Sequence, residues 1–350
     1  MLNSALISRN LSRLLRRGPG DLASQAIERR ELCPIEDVER PPAIYPAGAL
    51  DKVSSLSPWR DWDTERGLIE GTPLRHAATE ALVIPQVTLA GAYLYRGQAK
   101  ERIGIGPARM LDPDLPTSVL IPEAHLVSTW TGADFFGNFM QDSLALELIP
   151  EQGVHRVGAP TKPYLHEAGY RALLNLPTPP KPRHARIGRL VLYRDFSQNS
   201  FKRARYDELR ARLRVAAGGG TAAPGIFLRR GSAHGSPRRL VNEEDIAETL
   251  AALGFDIIDP EQMDAASIAR RALDAPVVVA VEGSHLGHAI YTLAADGALL
   301  VIQPPDRFAM PYKEVTDCLG MRFAFVVGSP ADGGFTADPN EIRQMLERLT

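Results

Sequence analysis

Two arginine pairs and one glycine turn are the residues of this chain best suited to chemistry. Arg229-Arg230 closes a short apolar run, Ile226-Phe227-Leu228, and Arg238-Arg239 follows after a Gly/Ser-rich turn. Glu282-Gly283-Ser284-His285, with His288 three residues on, ends the longer apolar run Pro276 to Val281. Guanidinium groups grip phosphate oxygens in pairs. A Gly-Ser turn opening a helix adds free backbone N–H groups and the positive end of the helix dipole. The combination suits a diphosphate. His285 and His288 read either as neutral imidazoles donating to phosphate or nucleotide or as surface or capping histidines. Their spacing, with only Glu282 nearby, is incomplete for zinc, and no metal site is expected. A carboxylate beside a diphosphate repels it, so Glu282 is expected to meet a ribose hydroxyl, a base edge or a sugar. A second constellation lies upstream. Asn138 and Asp142 are four apart and share a helix face with Gln141 beside them. By itself that spacing also fits a solvated polar face.

The elements around the arginines alternate. Ile226 to Leu228 reads as a strand, and Asn242 as the N-cap of a helix carrying Ile246, Leu250 and Leu253 up to Gly254. Phe255 to Ile258 is a strand, Asp264 to Leu273 a helix, and Pro276 to Val281 a strand. A helix with Leu286, Ala289, Ile290 and Leu293 on one face leads to the strand Ala298 to Ile302. Strands that are apolar almost throughout and separated by helices predict a parallel sheet covered on both faces. Ligands of such sheets sit beyond the carboxyl ends of the strands. Arg229-Arg230 and Glu282-Gly283 both fall at that edge.

Arg-Arg, then Arg-Arg-x-x-Asn-Glu, then Gly-Phe, then an apolar strand ending in a glycine turn resembles glycosyltransferase family 61, most strongly over Ile226 to Pro305. The resemblance implies an α/β fold of GT-B type, with two Rossmann-like domains, each on a parallel sheet, facing across a cleft. It implies an inverting glycosyltransferase using a nucleotide sugar, with a UDP-sugar expected, and a saccharide or lipid-linked acceptor, as in cell-surface polysaccharide synthesis. No other cofactor is expected. The donor-binding residues are then Arg229, Arg230, Arg239, Asn242, Glu243, Glu282, Gly283, Ser284, His285 and His288. Asp142 is the expected general base, with Asn138 orienting the acceptor or the carboxylate. Two departures stand out: Asn138 takes the place of a common histidine, and Glu282-Gly283-Ser284-His285-Leu286-Gly287-His288 replaces His-Gly-Ala-Gly-Leu-Thr-Asn.

At 350 residues the chain has room for two domains, each with its own core. The expected boundaries are a basic amphipathic segment at 1–30, an acceptor domain at 31–216 and a Gly-rich hinge at 217–223 around Gly218-Gly219-Gly220. A nucleotide-sugar domain at 224–330 follows, and then a C-terminal helix at 331–350 crossing back to the first domain. Residues 31–80 read as an irregular, proline-rich lead-in and residues 81–130 as short β-leaning runs. A net charge of −2 argues against nucleic acid as a partner. Cys33 and Cys318 lack disulfide or metal spacing, which suits a reducing compartment. No run reaches the roughly 20 apolar residues of a membrane span. A cytoplasmic location is therefore expected, with residues 1–17, leucine-rich and basic, offering a peripheral contact with an anionic membrane.

Two enzyme classes are set aside. Gly-Ser-His-Leu-Gly is not the Gly-x-Ser-x-Gly of a hydrolase elbow, and no Gly-x-Gly-x-x-Gly follows a first strand, as a dehydrogenase needs. The alternative from a different class is a degenerate relative that binds nucleotide sugar or serves as a scaffold.

Overall fold

The computed structural model describes residues 20–107, 119–231 and 238–349. They form two compact units. The first comprises residues 20–36, 77–165 and 176–197, the second residues 37–76, 166–175 and 198 onward. The basic segment 1–17, with its expected membrane contact, lies outside the described residues.

The first unit is built on a seven-stranded sheet: β1 (Glu28–Cys33), β2 (Thr79–Ala90), β3 (Tyr93–Arg96), β4 (Ala99–Arg102), β5 (Val119–Leu126), β6 (Arg156–Val157) and β7 (His184–Arg194). The order is β4-β3-β2-β7-β5-β6, with β1 on the first half of β2. A parallel sheet was expected here, and the sheet is mixed. Strands β1 to β4 and the β2–β7 pair are antiparallel, whereas β5 runs parallel to β6 and β7. The reason is loop length. Two-residue turns at Gly91 and Gly97, both with positive φ, join β2 to β3 and β3 to β4, and so short a connection can only reverse the chain. Leu82, Ile84, Ile121, Leu126, Ile187 and Leu190 fill the core on one face of this sheet.

The second unit carries five parallel strands: β8 (Ile226–Leu228), β9 (Asp256–Ile258), β10 (Ala275–Val281), β11 (Leu293–Gln303) and β12 (Arg322–Val327), in the order β9-β8-β10-β11-β12. The residue alternation of β10 divides its valines between two helical layers. Val277, Val279 and Val281 join Ile246 and Leu250 of the helix Glu243–Ala252 and Ile342, Met345, Leu346 and Leu349 of the helix Pro339–Leu349. On the other face lie the mutually packed helices Glu167–Leu173, Ser200–Ala217, Ala265–Ala272 and Gly287–Thr292. β11 begins at Leu293, so Asp296-Gly297 falls inside a strand rather than at a turn. Among the described residues, no helix is long and apolar enough to cross a membrane.

Three boundary expectations change. The helix Pro339–Leu349 buries its apolar stripe in the core of the second unit and does not cross to the first. Gly218 and Gly219 take positive φ as expected of a bend, but the chain on either side of them belongs to the second unit, so they hinge nothing between units. Residues 37–76, 166–175 and 198–217 also belong with the parallel sheet. The lead-in has a physical task there: Ile44 exchanges backbone hydrogen bonds with Phe323 and Phe325, covering the edge strand β12. Its helix Trp62–Glu70 places Glu65, buried and paired with Arg60, where its carboxylate accepts the Met310 N–H at 3.1 Å.

Candidate functional site

In the order β9-β8-β10-β11-β12 the chain leaves β8 toward one side and later builds outward from β10 on the other. The gap between the carboxyl ends of β8 and β10 is thus the topological switch point. Arg229-Arg230 follows β8 and Glu282-Gly283 follows β10. Arg230 Nη1 donates to the Glu282 carbonyl at 2.8 Å, tying the two strand ends together. Gly283 makes this possible. Its φ is +156°, and a Cβ there would lie 2.1 Å from Arg230 Nη1, so any other residue would push the guanidinium out.

Glu243, at the start of its helix, accepts the backbone N–H of Arg230 at 2.7 Å and that of Gly231 at 3.4 Å. It orders the loop after β8, and burial raises its carboxyl pKa. Arg229 turns outward to Glu244, at 2.6 Å. Arg238 reaches across to the Glu282 carboxylate in a close ion pair. Desolvation first, then the charges of Arg230 and Arg238, depress His285 to about 3, so its imidazole is neutral at physiological pH. Its Nε2 is buried without a hydrogen-bond partner. Tyr312 donates to the Ser284 carbonyl at 3.3 Å, fastening the turn from behind. Burial followed by Arg238 lowers the Arg230 pKa, and Arg307 adds a further positive charge. The edge is a cluster of cations held by three carboxylates, Glu243, Glu244 and Glu282.

Arg229, Arg230, Glu243, Glu282, Gly283, Ser284 and His285 therefore meet at one edge, and three expected members do not. Arg239 is exposed, and its carbonyl accepts the Phe335 N–H at 3.0 Å. Its neighbour Arg238, the other member of that pair and absent from the expected donor contacts, occupies the site instead. In extended backbone adjacent side chains point to opposite sides, and the bridge between Leu240 and Phe335 decides which one faces in. Asn242 makes no side-chain cap bond. Its amide is spent on Ala337, donating to the carbonyl at 2.9 Å and accepting the N–H at 3.1 Å. His288 is buried beneath the turn, 2.6 Å from the Tyr170 hydroxyl through Nδ1 and edge-on to His166. Desolvation holds it well below its ordinary pKa. It is a core histidine.

The first unit has its own site. Thr129 caps the helix Trp130–Asp134, its Oγ1 accepting the Gly132 N–H at 3.0 Å. A helical run then passes from Phe136–Asn138 through a π-helical turn, Phe139–Ser143, into Leu144–Leu146. Such turns recur at functional positions because they re-aim a side chain. Here the turn carries Asp142, and Asn138 Nδ2 donates to its Oδ2 at 3.0 Å. Asp142 lines an open pocket with Ser128 and Thr129, just beyond β5, and Tyr193 to Phe196, at the end of β7. β5 and β7 are parallel, so this pocket too lies at carboxyl ends.

Comparison with protein families gives a match to the model of Glycosyltransferase 61 over residues 135–301. That stretch takes in both sites, from the helical run with Asp142 to the Glu282-Gly283 turn and most of β11. No curated protein matches the chain significantly.

Proposed function

The chain is assigned to glycosyltransferase family 61 by the match over residues 135–301, and from that premise we propose an inverting transferase. It moves a sugar from a nucleotide donor to a saccharide or lipid-linked acceptor. The observation that carries the reading is the switch-point edge of the second unit. Arg230 and Arg238 flank a turn whose glycine permits close approach, the chemistry that receives a leaving nucleoside diphosphate. In the proposed step an acceptor oxygen attacks the anomeric carbon from the face opposite the diphosphate. The new C–O bond forms as the bond to phosphate breaks, and the acceptor proton passes to the Asp142 carboxylate. Asn138 orients that carboxylate. A UDP-sugar donor, a GT-B arrangement and a role in surface polysaccharide synthesis are carried over from the family resemblance.

One observation favours the degenerate reading: the arginines are already engaged by Glu282 and Glu244. Calorimetry with UDP and other nucleoside diphosphates, followed by hydrolysis of the corresponding sugars without acceptor, separates the two. Binding that Arg230→Ala weakens, together with slow hydrolysis, supports the enzyme. Binding with no turnover of any nucleotide sugar supports the scaffold, and no nucleotide binding overturns both.

A further inference from the structure

The pocket around Asp142 has two walls that the reaction as written does not use. Trp130 and Phe196 are exposed by 43% and 70%, and both line it. Each ring is backed by an arginine. The Arg102 guanidinium lies 5.2 Å from the Trp130 ring centre, and that of Arg194 lies 5.9 Å from the Phe196 ring. Each arginine is in turn pinned. Arg194 grips Glu101 through two hydrogen bonds of 2.9 and 3.1 Å, and Arg102 faces Asp134 at 3.8 Å while donating to the Gly104 carbonyl at 3.0 Å. A cation on one face of a ring leaves the opposite face for a ligand. Rings fixed in that way present rigid platforms rather than mobile surface side chains.

Aromatic faces are electron-rich, and the C–H hydrogens on the flat side of a pyranose are weakly positive, so the two attract. Hydroxyls around the ring edge need polar partners, and the pocket supplies the carboxylates of Asp142 and Asp195. Charge decides which sugars. Both lining arginines already face carboxylates, so an acidic sugar would meet carboxylates without a cation assigned to it. We propose that this pocket is a subsite for a neutral pyranose, stacked on Trp130 and Phe196, that presents its hydroxyl to Asp142. This deepens the transferase reading and rests on it only for the role of Asp142.

Saturation-transfer NMR on the full chain tests the subsite with methyl β-glucoside, β-galactoside and β-xyloside, and with methyl β-glucuronide as the acidic probe. At least one neutral glycoside binds, and the glucuronide binds about tenfold more weakly or not at all. Trp130→Ala and Phe196→Ala each weaken the neutral ligand about tenfold or more, and Trp130→Phe, which keeps an aromatic face, restores most of the loss. Wild-type affinity in both alanine variants, preference for the glucuronide, or no glycoside binding by a chain that binds nucleotide overturns the subsite. Stacking-dependent binding combined with undiminished transfer by Asp142→Asn leaves the subsite standing and removes the base.

Discussion

The two sites of this molecule apply one rule in opposite ways. Both lie at the carboxyl ends of parallel strands, where loops can approach a ligand while the sheet stays rigid. In the second unit that edge is closed on itself. Arg230 binds the Glu282 carbonyl, Arg238 the Glu282 carboxylate, and Glu243 the N–H groups of the loop. The first unit leaves its edge open, in a pocket lined by exposed aromatic rings and carboxylates. A site for a diphosphate must assemble several like charges, which repel when empty, so internal anions hold them together. A pocket for a neutral polyol has no such need. On this view Glu282 stands where a phosphate oxygen would bind.

The sharpest break in the comparison comes from exchanging chemistry at one site and reading the other. Asp142→Asn keeps shape and removes basicity, so transfer falls by about 10²–10⁴-fold while the nucleotide affinity measured by calorimetry stays put. If transfer survives in Asp142→Asn and is lost in Glu282→Gln, the base belongs to the second unit. Arg230→Ala inverts the pattern, weakening nucleoside diphosphate by about 1.5–3 kcal/mol and leaving glycoside binding in the first unit untouched. Glu282→Gln then tests the stand-in directly. Freed of its carboxylate partner, Arg238 binds inorganic pyrophosphate or UDP about tenfold more tightly, roughly 1.4 kcal/mol. Unchanged or weaker affinity would mean that Glu282 is structural and not a placeholder.

How far each site could be read in advance follows from the range of the forces that build it. The near-continuous apolar strands β10 and β11 and the glycine at 283 are local signals, and they brought Arg230 and Glu282 to one edge in the sequence reading. Which of Arg238 and Arg239 faces in depends on Phe335, about a hundred residues away. The loss of Asn242 to Ala337 and of His288 to Tyr170 depends on partners equally remote in sequence. Around Ile44 the proline-rich lead-in carries no periodic pattern because it covers a sheet edge with backbone rather than an apolar stripe. In the first unit Asn138 and Asp142 were legible as one helix face. The π-helical turn beneath them and the pairing of Trp130 with Phe196 arise only from tertiary packing.

The smallest expected effect separates the two edges by pH. His285 lies against two arginines and titrates at about 3 when folded, against about 6.5 when unfolded. Between those values the unfolded chain binds a proton that the folded chain refuses, so its contribution to stability is lost as pH falls from about 6.5 toward 3. Glu243 acts in the opposite sense. Burial raises its folded pKa above the ordinary carboxylate value, so it favours folding increasingly as pH falls into that range. Because the two windows overlap, the pH dependence of the wild type alone cannot isolate either. The difference between wild type and His285→Gln can. Lowering the pH from 7.5 to about 5.5 should destabilise the wild type by about 1 kcal/mol more than His285→Gln, measured by chemical unfolding monitored by circular dichroism at each pH. Parallel pH trends in the two proteins would mean that the His285 ring titrates in contact with water, and that the arginine edge of the second unit is as open as the pocket of the first.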